Sequence, residues 1–479
     1  MIFLDETTRK KIGFDFVLDK LFIGSVFGKY QFSKLHMLTN NYELLREYEN
    51  IESCSLIIKD SKCFNELQSL LMRFKDIRNT FKRLKNEEVL DQIELFEIKN
   101  YTILISELKQ SLKNNNLKLN SISFNDFNEI YTLLNKSNTR TLSFAIYDDY
   151  SPKLSSLRKA KRNVEKLIYK EKDSEKRKKL LKNRADITYA EKEEEFIIRK
   201  TLSLEISKYA DMLLENSFNV GKLDITIAKT KYAIDYGLSK PILTDKIKIK
   251  KGFNPMVKEK VEQAGGIFQP IDIDLSFGTT VITGANMGGK TVVLSIVALN
   301  YILAYMGFYV FAEKFEFVPL DFMYFLSEDA ESLRNGLSTF GGEVMKLKQI
   351  LKDIKKKHGL ILLDEFARGT NPEEGSKITK GLVKYLGNFA SISLISTHYN
   401  GVSNISNSHY QVKGLSNFDF NSIGKIEKDT DFFNLINKYM DYSLEKVTGS
   451  APIPKDAMNI LRLMGIDTEI IEMGEKDEE

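Results

Sequence analysis

The run Gly284-Ala-Asn-Met-Gly-Gly-Lys290-Thr291 follows a short apolar stretch, Val281 to Thr283, and precedes a helical pattern that starts near Thr291. Strand, glycine-rich turn and helix in that order satisfy the P-loop pattern. The residue types follow from the task. Backbone N–H groups must curl around phosphate oxygens, a lysine must reach the β and γ phosphates, and a hydroxyl must hold Mg²⁺. The motif therefore assigns Gly284, Asn286, Met287, Gly288, Gly289, Lys290 and Thr291 to a nucleotide, with Thr291 also a metal ligand. A glycine-rich turn can serve packing alone, but here every position of the pattern is matched.

Some seventy residues later the apolar run Gly359-Leu-Ile-Leu-Leu ends in Asp364-Glu365. In open parallel sheets ligands bind at the carboxyl ends of the strands, which places both acids beside the P-loop. Asp364 is the candidate Mg²⁺ ligand and Glu365 the candidate base that polarises the attacking water. Two acids can also merely solvate a strand tip. A third apolar run, Ile392 to Ser396, ends in Thr397-His398, and a histidine at that edge can hydrogen-bond a γ-phosphate or the lytic water.

Glycine and proline divide the chain. Residues 1–240 hold 5 of the 27 glycines and 1 of the 8 prolines, so the first half reads as helix. Asp5 to Phe22, Phe64 to Lys85 and Val89 to Lys113 repeat apolar residues at three-to-four spacing, as amphipathic helices do. After Lys251, short apolar runs alternate with helical patterns, which implies a mainly parallel sheet covered by helices. The expected organisation is an all-α domain over 1–240 and an α/β P-loop NTPase domain over 241–479.

Residues 151–200 carry 17 Lys and Arg against 9 Asp and Glu, whereas the whole chain has a net charge of only +4. Leu154 to Lys208 lacks glycine and proline, as a projecting helical hairpin would (about 150–208). The charged arm is either a solvated bundle face or a surface for phosphate backbones. Cys54 and Cys63 are too few for a disulfide framework and lack zinc-site spacing. No stretch approaches the roughly 18 apolar residues of a membrane span, and residues 1–10 lack a signal-peptide pattern. A cytoplasmic protein is expected.

The wording between these landmarks resembles the MutS mismatch-repair ATPases, relatives of the ABC-type ATPases. Thr283 to Thr291 is similar to that family's P-loop, with Ala285 where proline is usual. Leu363-Asp-Glu-Phe-Ala-Arg-Gly-Thr370, followed by Gly375, resembles its Walker B and D-loop segments, and Ser396-Thr-His-Tyr399 its histidine switch. Gly336-Leu-Ser-Thr-Phe340, followed by Glu343, resembles its signature segment, with Gly341-Gly342 where bulkier residues are usual. The resemblance implies that Ser338 reaches the γ-phosphate held by a second subunit. Phe268-Gln-Pro270 with Asp272 is similar to the stretch before the family's P-loop, and Phe268 could stack on adenine or simply fill the core.

Less specific likeness extends outward, through Leu4-Asp-Glu-Thr-Thr, Tyr150-Ser-Pro-Lys-Leu-Ser-Ser-Leu157 and Val447-Thr-Gly-Ser450. It implies a helical lever and clamp region ahead of the ATPase domain. The chain begins where the family's core region begins, so mismatch-reading and connector domains are not expected. Catalytic roles then fall to Glu365, His398 and Ser338. The implied function is a homodimeric, ATP-hydrolysing clamp that uses ATP and Mg²⁺ and closes on duplex DNA through residues 151–200. The alternative is a protein client, because short MutS-like chains with this P-loop also resemble reactivating ATPases of cobalamin-dependent aminomutases.

Overall fold

Every described element from Glu6 to Tyr236 is helical, and every described strand lies beyond residue 240. The computed structural model describes residues 4–136, 146–284, 289–327, 339–415 and 438–448, together with Leu461 and Ile466. The chain forms two units. Met1–Leu21, His36–Tyr48 and Lys231–Glu479 make up the first, and Phe22–Leu35 with Glu49–Thr230 make up the second. A single cut at residue 240 therefore does not separate them. Ile12, Phe14 and Val17 are almost wholly buried in the first unit, which explains why the opening residues belong there.

In the helical unit, an aromatic cluster of Phe27, Phe74, Phe81, Tyr101 and Phe127 packs largely edge to face. The helix Gln92–Asn114 starts with a reciprocal capping box between Asp91 and Glu94. It matches the expected Val89 to Lys113 segment apart from its ends. The two other expected helices are broken. Gly13, at φ +79°, separates Glu6–Lys11 from Phe14–Asp19. Ser61–Met72 and Arg78–Lys85 are split by a turn in which the Asp76 carboxylate accepts from the Arg78 backbone and guanidinium.

Two helices, Pro152–Lys170 and Ser174–Ser207, form an antiparallel hairpin. Ser151 caps the first, with proline at its opening position, and Asp173 caps the second. Charge is used differently along its length. Near the base, Arg158 bridges Asp148, Glu191 and Glu195, Lys153 pairs with Glu194, and Lys161 pairs with Glu191. Toward the turn, Lys170, Lys172, Lys176, Arg177, Lys178 and Lys179 are exposed and make no ion pair with any of the described residues.

The first unit contains a six-stranded sheet in the order β10-β9-β4-β8-β7-β6. Its strands are β4 Gly278–Thr283, β6 Phe322–Leu326, β7 Gly359–Asp364, β8 Ile392–Ser396, β9 Ser408–Gly414 and β10 Asp441–Lys446. All neighbours pair in parallel except β10, which runs antiparallel to β9. Every residue of β4, β7 and β8 is buried, as expected of parallel strands covered on both faces. A second, four-stranded sheet in the order β1-β5-β2-β3 was not foreseen. It comprises β1 Ile242–Leu243, β2 Ile247–Gly252, β3 Ile271–Leu275 and β5 Lys314–Phe317.

Strand order positions the site. β8 lies between β4 and β7, with Ser396 level with both Ile282 and Asp364. The carboxyl ends of these three strands thus form one edge.

Candidate nucleotide-binding site

β4 runs into Gly284, and Gly289, at φ +89°, leads into the helix Lys290–Tyr305. At Gly289 a Cβ would lie 2.5 Å from the Tyr442 ring, so both its backbone and its surroundings call for glycine. Lys290, on the first helical turn, is 4% exposed. Its Nζ donates to the Gly284 carbonyl at 2.8 Å and lies 3.0 Å from Glu365 Oε1.

Thr291 stands beside Lys290, and its hydroxyl donates to Asp364 at 2.9 Å (Oδ2) and 3.1 Å (Oδ1). Asp364, at the end of β7, also accepts from Ser396 Oγ at 2.8 Å, and Lys11 Nζ lies 3.5 Å away. The same Ser396 hydroxyl accepts from the Glu365 N–H at 2.9 Å. One β8 side chain thereby orients the metal-type carboxylate and the backbone of the next acid.

Glu365 adopts φ +49° and Ala367 φ +66°, left-handed conformations that cost a residue with a Cβ on the order of 1 kcal/mol each. Surrounding contacts hold this turn. The Ala367 N–H donates to Glu343 Oε2 at 3.0 Å, and the Tyr399 hydroxyl donates to the Ala367 carbonyl at 2.8 Å. The Glu365 carboxylate also lies 3.2 Å from Arg368.

His398 follows β8 and is half-buried. Burial pushes its imidazole below the ordinary value, while the negative charge of Glu365 acts in the opposite direction. Its Nδ1 is buried without a hydrogen-bond partner among the described residues. Phe268 stacks on Tyr442, with ring centroids 5.3 Å apart and planes 24° from parallel. Tyr442 in turn covers Gly289, so this aromatic pair adjoins the start of the helix that carries Lys290. Asn286, Met287, Gly288 and Ser338 lie outside the described residues.

A lysine ammonium, a threonine hydroxyl and a carboxylate gathered at one helix N-terminus fit a metal-bound phosphate chain. Among the described residues no group of three or more His, Cys, Asp or Glu is assembled. A Mg²⁺ here would therefore rest on Thr291 and Asp364, its other ligands coming from phosphates and water.

Residues 280–458 match the sequence model of MutS domain V. They form a MutS domain V. Relatives of this chain include two proteins named endonuclease MutS2. That of Acetivibrio thermocellus is 36% identical over 203 residues, covering 41% of this chain and 25% of the relative. That of Caldanaerobacter subterraneus subsp. tengcongensis is 32% identical over 282 residues, covering 57% of this chain and 32% of the relative. The chain thus spans between a quarter and a third of these relatives' length.

MutS domain V is an ATPase domain, and in this chain it includes the P-loop lysine, the paired acids and His398. Four contributors to its geometry were not assigned a role from sequence: Ser396 as the orienting hydroxyl, Tyr442 beside Gly289, Lys11 beside Asp364, and His409, whose Nε2 lies 2.8 Å from Thr283 Oγ1. Only Ser396 carried a signal, its place at the end of an apolar strand.

Proposed function

We propose that this chain binds Mg²⁺–ATP in its MutS domain V and hydrolyses it, and that two copies form a clamp closing on duplex DNA. The observation carrying the reading is the bond from Thr291 Oγ1 to Asp364 Oδ2, 2.9 Å, next to a buried Lys290. In this reading the hydroxyl and carboxylate so joined are the two side chains that would hold Mg²⁺. Bound Mg²⁺ would neutralise charge on the transferring phosphoryl group.

In this reading Lys290 turns from Glu365 to the β and γ phosphates, Glu365 accepts a proton from the attacking water, and a neutral His398 hydrogen-bonds that water or the γ-phosphate. Ser338 serves the γ-phosphate of the partner subunit, and Phe268 lines the adenine side with Tyr442. The exposed cations near the hairpin turn, unpaired among the described residues, support a partner rich in phosphate, and such binding must weaken steeply with salt.

A protein client is the second reading, favoured by Leu167, Tyr169 and Leu181, which are 53%, 92% and 49% exposed on the same stretch. The deciding experiment is steady-state ATP hydrolysis by the purified protein, with and without duplex DNA, across a salt series. Stimulation that fades with salt supports the clamp on DNA. Turnover indifferent to DNA at every salt concentration favours the protein client, and no turnover at all removes both.

A further inference from the structure

Asp364 has a third partner besides the hydroxyls of Thr291 and Ser396. The Lys11 ammonium, from a residue 353 positions earlier, lies 3.5 Å from its Oδ2. Lys11 ends the helix Glu6–Lys11, which is held at both ends. Asp5 caps its first turn, accepting from the Thr8 N–H at 2.8 Å. Just past its last turn, the Ile12 carbonyl accepts from Asn254 Nδ2 at 2.9 Å, and the same amide lies 3.2 Å from Ser295 Oγ.

Asn254 and Ile12 are fully buried, and Ser295 sits on the helix that begins with Lys290 and Thr291. The backbone of Lys11 is therefore tied, through one buried amide, to the helix that carries the metal-type hydroxyl. The lysine side chain itself is about a third exposed.

A carboxylate that already faces an ammonium is partly compensated. A divalent cation arriving there must displace the ammonium or endure its repulsion. We propose that Lys11 is a tethered counter-ion of Asp364 that competes with Mg²⁺. It raises the magnesium concentration needed to load a nucleotide, and loading releases the Lys11 contact, so that the helix Glu6–Lys11 reports the state of the site. This rests on the Mg²⁺–nucleotide reading above. Because the ion pair is partly exposed and screened, its removal is worth roughly a two- to fivefold change in magnesium requirement.

The test titrates Mg²⁺ against binding of a fluorescent N-methylanthraniloyl-ADP to the full chain, for the wild type, Lys11→Met and Lys11→Arg. Lys11→Met should bind at a magnesium half-point roughly two- to fivefold lower, with Lys11→Arg close to the wild type. Hydrogen exchange on the wild type gives an independent readout that needs no variant. Amides of residues 8–12 should exchange faster with Mg²⁺ and ADP than with ADP in chelator.

An unchanged half-point in Lys11→Met overturns the proposal. So does a raised one, which would make Lys11 a phosphate ligand, and so does unaltered exchange over residues 8–12. Failure of the wild type to bind the nucleotide at any magnesium concentration is distinguishable from these, because it removes the nucleotide site itself and this inference with it.

Discussion

Lys290 and Glu365 form a largely buried ion pair, Nζ to Oε1 3.0 Å, in which the residue proposed to hold phosphate holds the proposed base instead. Phosphate oxygens that draw the lysine away free the carboxylate, so substrate binding and base activation are linked. Glu365→Gln should keep ATP binding and lower steady-state hydrolysis by at least about a hundredfold. A binding assay beside a phosphate-release assay checks this, and normal turnover would take Glu365 out of the mechanism.

Ser396→Ala removes a donor to Asp364 and an acceptor from the Glu365 N–H, both in a buried place. The Glu365 N–H keeps the Ser396 carbonyl, 3.2 Å away, as its remaining partner. The expected cost is about 1–2 kcal/mol of stability, read by urea denaturation. A neutral result would mean that a water molecule replaces the hydroxyl.

A Cβ at Gly375 would come within 2.2 Å of the Tyr399 hydroxyl. Gly375→Ala should therefore destabilise the protein by roughly 1–3 kcal/mol. Tyr399→Phe removes the obstructing oxygen and, in the double variant, should recover part of that loss. Additive effects of the two changes in a double-mutant cycle would show that the clash does not govern the cost.

Burial lowers the pKa of both His398 and His409 from the ordinary 6.5. The folded protein thus binds their protons less readily than the unfolded chain. Stability from these two groups is complete above pH 6.5 and is lost as the pH falls below it, because the unfolded state takes up protons first. Thermal unfolding between pH 7.5 and 5 should show this decline, and His409→Gln should flatten it. A decline of equal steepness in that variant would exclude His409 as a contributor.

In a mixed dimer, Ser338→Ala and Lys290→Ala placed on one subunit should abolish both composite sites. Splitting the two changes between subunits should spare one site. Equal ATPase activity in the two arrangements would exclude cross-subunit action by Ser338.

The strand-end motifs were legible because each is local. Val281 to Thr291 holds a strand end and a helix start within one short stretch, and Gly359 to Glu365 carries both the strand and the acids at its tip. The helical first half was equally legible from its scarcity of glycine and proline. The interruption at residues 73–77 was not, since it depends on Asp76 folding back onto Arg78 rather than on a breaker. Neither were Lys11 and Tyr442, which reach the site from opposite ends of the sequence and lie in no recognisable pattern around it. Contacts of that kind leave no periodicity to read.

The α/β unit is discontinuous in the chain, and this bears on the order in which it can be made. Ile12, Phe14 and Val17 leave the ribosome well before Asn254 and the helix Lys290–Tyr305 exist. During synthesis of the intervening helical unit, the Ile12 carbonyl still lacks its partner Asn254. The nucleotide site can close only late in translation, and its earliest residues wait longest for their partners.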